Sequence, residues 1–169
     1  QSRVVRLSTG EVYAVYLAPS ASGTDPSQAQ WVLMRRGAGA NDPWSEVGGR
    51  RAGREPMHLL RMPDDTLMVI SWPTLPTAWT VSTRNGSPVI SAPVLIPGAW
   101  ETMGSGSTPY SGAGVAPDGT VCLFASRGEA GNVSGAIYTS DSAWDYACRA
   151  PSGVWGRHTT LAIGLRYAY

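Results

Sequence analysis

The sequence predicts an all-β chain built from repeated four-stranded antiparallel units, and three observations lead there. Gly (20) and Pro (13) punctuate the 169 residues so often that no window is long enough for a helix with an apolar stripe. A two-strand phrase recurs three times: Arg3–Leu7 and Glu11–Tyr16 about Ser8-Thr9-Gly10, Met57–Arg61 and Thr66–Ser71 about Pro63-Asp64-Asp65, and Ser111–Ala116 and Thr120–Ser126 about Pro117-Asp118-Gly119. Aligning the turns places Gly10, Asp65 and Gly119 in register at intervals of 55 and 54 residues. A near-constant period of that size marks units too small to bury a core alone.

Each phrase is followed by two further predicted strands. In the first unit they are Gln30–Arg36 and Trp44–Val47, about the Gly37–Pro43 turn, after a polar loop over Ala18–Ala29. In the second they are Ala78–Arg84 and Val89–Leu95, about Asn85-Gly86, a strong short hairpin signal. The third has Gly135–Ser140 and Trp144–Cys148, about Asp141-Ser142-Ala143. Four-stranded antiparallel units repeating at this length are the pattern of β-propeller blades, with a β-sandwich as the alternative. The expected blades span 1–53, 54–108 and 109–163, with 164–169 opening another strand, which makes half of a six-bladed ring.

Composition narrows the function classes. Charged residues are only 15% against 43% hydrophobic, which suits a β-rich body with neutral loops. A net charge of +1 leaves no electrostatic footprint for nucleic acid or an anionic membrane. No window reaches the roughly 18–20 apolar residues of a membrane span, and none has the layout of a signal peptide. Gln1 is not an initiator Met, so the sequence leads us to expect a mature or excised segment, secreted or extracellular. All 13 basic residues are Arg. A GC-rich coding bias accounts for that, and planar forks for carboxylates or sulfates are compatible with it. Cys122 and Cys148 are expected on strands separated by another strand, about 9.6 Å apart and beyond disulfide reach, hence free buried thiols.

The third-to-fourth-strand hairpins carry a family resemblance. Ser82-Thr83-Arg84-Asn85-Gly86 and Thr139-Ser140-Asp141-Ser142-Ala143-Trp144 resemble degenerate copies of the Asp box (Ser-x-Asp-x-Gly-x-Thr-Trp) of sialidases and related BNR-repeat propellers. Arg54-Glu55-Pro56 is similar to the Arg-Ile-Pro that opens a sialidase blade, with Glu55 in place of Ile. Arg84 stands where the second box would have Asp, and no box is complete.

The resemblance implies a carbohydrate-directed propeller with its ligand near the ring axis. The expected ligand-binding residues are Arg54 and His58 from the second blade, Tyr110 from the third, Arg166 and Tyr167 at the chain's end, and the loop residues Trp72, Arg127 and Glu129. Glu55, Tyr169, Trp100, Glu101, Arg157 and His158 are expected nearby. Arg54 would be one arm of a carboxylate-binding Arg cluster and Arg166 another. A retaining sialidase also needs a Tyr nucleophile with its Glu and an Asp acid/base, drawn from blades around a full ring, so no complete catalytic set is assigned. No zinc-type His/Cys cluster, phosphate-cradling turn or nucleophile elbow occurs, and no cofactor is expected.

Among the seven Trp, Trp31, Trp44, Trp79 and Trp144 recur at blade positions and are expected in the core. Trp72, Trp100 and Trp155 lie in loops and are candidates for sugar contact. Two function classes follow: part of an extracellular glycan-degrading enzyme of sialidase or polysaccharide-lyase type, or a non-catalytic lectin-like, virion-surface or structural propeller. Three blades leave apolar end faces, so either the remainder of a longer polypeptide or a second copy is expected to cover them.

Overall fold

The structure, a computed structural model, describes residues 3–18, 29–83, 87–98, 100, 111–127, 143–156 and 159–163. They form thirteen β-strands in three antiparallel sheets, with no helix among the described residues. The chain divides into two compact units, Gln1–Leu95 and Ile96–Tyr169.

The first unit holds two sheets. The first sheet is β1 (Val4–Arg6), β2 (Val12–Ala18), β3 (Gln30–Arg36) and β4 (Trp44–Ala52), each strand pairing with the next. The second is β5 (His58–Arg61), β6 (Leu67–Ser71) and β7 (Thr77–Ser82), with β8 (Val89–Ile90) and β9 (Val94–Leu95) both pairing with β7. The sequence predicts one strand over Val89–Leu95; the break falls at Ser91–Pro93. Pro93 has no N–H for the ladder, and the Ser91 hydroxyl accepts from Thr80 N at 2.9 Å instead.

The second unit holds the third sheet: β10 (Ser111–Val115), β11 (Val121–Arg127), β12 (Ala143–Arg149) and β13 (Thr159–Ile163). Here the sequence-based assignment is corrected. Ala143–Arg149, expected as a fourth strand, pairs directly with β11 and is the third. Trp144 therefore lies inside the third strand, and residues 139–142 of the expected hairpin lie outside the described residues. The expected strand Gly135–Ser140 lies outside the described residues. With no strand between them, Cys122 and Cys148 face each other directly, Cα atoms 4.1 Å apart, and form a disulfide. That is the spacing of a non-hydrogen-bonded antiparallel pair, so adjacency, not a bulge, brings the thiols together.

One turn is repeated throughout. Gly10, Asp65 and Gly119 have φ of 91°, 66° and 88°. In each turn the residue three before accepts from that amide: Leu7 O, Met62 O and Ala116 O, at 3.0, 3.0 and 2.9 Å. This is the three-residue hairpin of a type I turn closed by a left-handed residue. A fourth copy, Ala150-Pro151-Ser152-Gly153, with φ 95° at Gly153, follows β12 and leads to the Arg149–Trp155 bridge. Asp65 occupies a position that favours Gly because its carboxylate accepts from Ser8 N at 3.1 Å and from the Ser8 hydroxyl, and pairs with Arg61 at 2.6 Å. Those contacts hold its carboxyl below the usual carboxylate range, the Ser8 hydroxyl foremost and Arg61 adding to it.

The core of the first unit lies between its two sheets, β1 beside β5 and β4 beside β8. Strand alternation sends Tyr13, Val15 and Leu33 to one side of the first sheet, where they meet Leu59, Leu67 and Val69 of the second. Trp31 and Trp79 pack edge to face at its centre, ring centroids 5.2 Å apart. Both are buried as the sequence predicts, whereas Trp44 is 45% exposed, with the Arg36 guanidinium 5.6 Å over its ring. No helix among the described residues is long and apolar enough to cross a membrane.

Candidate functional site

The connection from β4 to β5 carries Arg54. Gly53 precedes it in a buried position where a Cβ would lie 2.5 Å from Trp31 Cδ1 and 2.6 Å from Ser71 Oγ. Only a residue without a side chain lets the chain pass there. Ser71, the polar last residue of the apolar strand β6, then grips the next residue on both sides. Its hydroxyl accepts from Arg54 N at 3.0 Å and donates to Arg54 O at 2.8 Å, and Trp72 N donates to the same carbonyl at 3.4 Å. The backbone of Arg54 is thus fixed to the end of the second sheet.

The side chains around it differ in what they do. Glu55 pairs with Arg3 at the start of the first sheet. The pair joins the two sheets of this unit. The Arg54 side chain is half-buried, and among the described residues no carboxylate pairs with it. Arg35 and Arg61, by contrast, are committed to Glu11 and Asp65.

His58 is 2% exposed, and burial, with the positive charge of Arg3 adding to it, pushes its pKa down to about 4. At neutral pH it is an uncharged imidazole within the sheet packing and presents no surface to a ligand. Trp72 is 1% exposed, and Trp100 is buried with its Nε1 donating to Ile96 O at 3.0 Å. Both were expected as sugar contacts, and both are packing residues: the loops that carry them fold inward, leaving no ring face exposed. Trp155 is half-buried.

Of the residues expected at the site, the structure brings Arg54, His58 and Trp72 to one end of the second sheet and leaves only Arg54 with an accessible charge. Arg127 is the last residue of β11, its backbone opposite Ala143. Tyr110, Glu129, Arg166 and Tyr167 lie outside the described residues, as do Glu101, Arg157, His158 and Tyr169. The sequence reading missed Ser71 and the Arg3–Glu55 pair. Ser71 was detectable as the one hydroxyl ending an otherwise apolar strand. Among the described residues no cluster of three or more His, Cys, Asp or Glu is arranged to hold a metal ion.

Compared with known proteins, the chain matches no family model, no curated protein and no solved structure.

Proposed function

We propose that the chain is part of a sialidase-like, carbohydrate-directed β-propeller in which Arg54 receives the anionic group of an acidic sugar. One observation carries this: a half-buried guanidinium, its backbone gripped on both sides by Ser71, with no carboxylate partner among the described residues. A guanidinium prefers a planar, bidentate acceptor, and the carboxylate of a sialic or uronic acid or a sugar sulfate is one. The repeated antiparallel sheets and their shared turn support the propeller-like build.

Titration calorimetry on the full chain tests it, with N-acetylneuraminate and glucuronate as probes and glucose as the neutral control. The acidic sugars bind, and Arg54→Ala weakens them by about 1.5–3 kcal/mol, the range for a hydrogen bond to a charged group. Arg61→Ala, whose partner is Asp65, leaves affinity unchanged. Equal affinity for wild type and Arg54→Ala overturns the assignment.

The second reading, a non-catalytic binding or structural module, is favoured by the burial of His58 and Trp72, which removes two polar or aromatic groups from any site beside Arg54. Turnover of a fluorogenic sialoside, or an unsaturated-uronate absorbance, places the chain in the enzyme class. Sugar binding without turnover places it in the module class.

A further inference from the structure

The repeat gives each sheet two distinguishable faces. With Gly10, Asp65 and Gly119 superposed, Val4, Val12, Ala14 and Met34 of the first sheet correspond to Leu59, Leu67, Val69 and Trp79 of the second. That second-sheet set is the face packed on the first sheet. The face of the first sheet it packs against, Tyr13, Val15 and Leu33, corresponds to the other face of the second: Met68, Ile70 and Ala78. Packing within the first unit is therefore head to tail, a leading face of one sheet on a trailing face of the sheet before it.

Both faces of the second sheet are buried, Met68, Ile70 and Ala78 included. The first sheet buries its trailing face and leaves its leading face open in part: Val4, Tyr16 and Trp44 are 59%, 44% and 45% exposed, while Val32 and Ala18 on the same face are buried. The third sheet is the reverse. Its leading face, Val121, Leu123, Ala125 and Ala147, is buried, while its trailing face, Gly112, Gly114, Cys122, Phe124, Tyr146 and Cys148, is exposed or half-buried. A Cβ built on Gly112 or Gly114 meets nothing within 4 Å. One chain thus displays one open face of each kind, of the two kinds already joined in its own core.

We propose that the leading face of the first sheet docks on the trailing face of the third sheet of a second copy of this chain. The occupant follows from continuity with an interface the molecule already builds: the open faces correspond by register to the pair that packs around Trp31 and Trp79. That face carries Val4, Val12, Ala14, Tyr16, Met34 and Trp44 alongside the charged Arg6, Arg36 and Glu46, a mixed surface with enough apolar area to seat a second sheet. The contact is heterologous, so two copies that each offer both faces close on one another or extend as a series. The proposal does not depend on the ligand at Arg54.

Sedimentation velocity of the full chain across a concentration series tests it, with circular dichroism confirming that each variant folds. Wild type is expected at multiples of the chain mass, with Trp44→Glu on the first sheet and Gly114→Glu on the third each raising the dissociation constant at least tenfold. Val89→Glu, on the edge of the second sheet, leaves association unchanged. A mixture of the Trp44→Glu and Gly114→Glu chains recovers association, because each supplies the face the other lacks. A wild-type chain that stays monomeric throughout overturns the proposal. So does a Gly114→Glu chain that associates like wild type, since the first sheet would then be docking on something other than the third.

Discussion

The first and second sheets share a turn and a register, yet the second is buried on both faces, while the first is buried on one and holds Val4, Tyr16 and Trp44 exposed on the other. Trp79 and Trp44 show the difference. Each lies on the leading face of its sheet; Trp79 is 3% exposed against Trp31, and Trp44 stands 45% exposed under an Arg. Position in a repeat sets which way a residue points, and the presence of a neighbouring sheet sets whether it is core. Apolar character at both positions reflects the repeat and so does not distinguish buried from open.

The largest effect that sharpens this contrast is at Trp79. Trp79→Ala is expected to cost about 3–5 kcal/mol by denaturant unfolding, the range for emptying a large aromatic site. Trp44→Ala, at concentrations where the chain is monomeric, should cost less than about 1 kcal/mol, the scale of an exposed cation–π contact. Equal costs at the two positions would break the contrast.

The third sheet supplies the next effect, because its disulfide sits on an open face. Cys122 and Cys148 close a separation of 26 residues. Cys148→Ser is expected to lower stability by about 3–4 kcal/mol on the loop-entropy account. Both half-exposed cysteines are within reach of dithiothreitol under native conditions, so mass spectrometry should show the bond reduced without denaturant. Protection until unfolding would mean that this face is covered within a single chain.

His58 probes the buried face of the second sheet. Its folded pKa is about 4 against an unfolded value of 6.5. The unfolded chain therefore takes the proton first: the contribution is complete above pH 6.5 and is lost as pH falls towards 4. The loss amounts to about 3 kcal/mol over that window. His58→Leu should flatten the slope of stability against pH there. A wild-type profile flat between pH 6.5 and 4 would show that His58 is solvated.

Much of this fold was legible in the sequence. The strands of the first sheet and the three aligned turns were readable because turn chemistry is local, a left-handed position flanked by alternating apolar residues. The third sheet was misread for a local reason too. Ala150-Pro151-Ser152-Gly153 repeats Ala116-Pro117-Asp118-Gly119 closely enough to mark a hairpin after Arg149, and that would have placed Cys148 beside Cys122.

The site was harder to read. A loop Trp and a strand His carry no sequence mark of burial, because burial is decided by which way a connection folds. Trp72 and Trp100 turned inward, and Trp44, at a position predicted for the core, turned out. Arg54 was identifiable from its place in Arg54-Glu55-Pro56, whereas the neighbouring Arg3–Glu55 pair joins residues 52 apart in sequence and carried no local signal.

Hydroxyl-radical footprinting of the dilute, monomeric full chain, read residue by residue by mass spectrometry, tests the head-to-tail order of faces most directly. Trp44 and Tyr16 should be oxidised rapidly, and Trp31, Trp79 and Trp72 should be modified at least tenfold more slowly. Comparable oxidation of Trp79 and Trp44 would contradict it, since the leading faces of the first and second sheets would then be equally open.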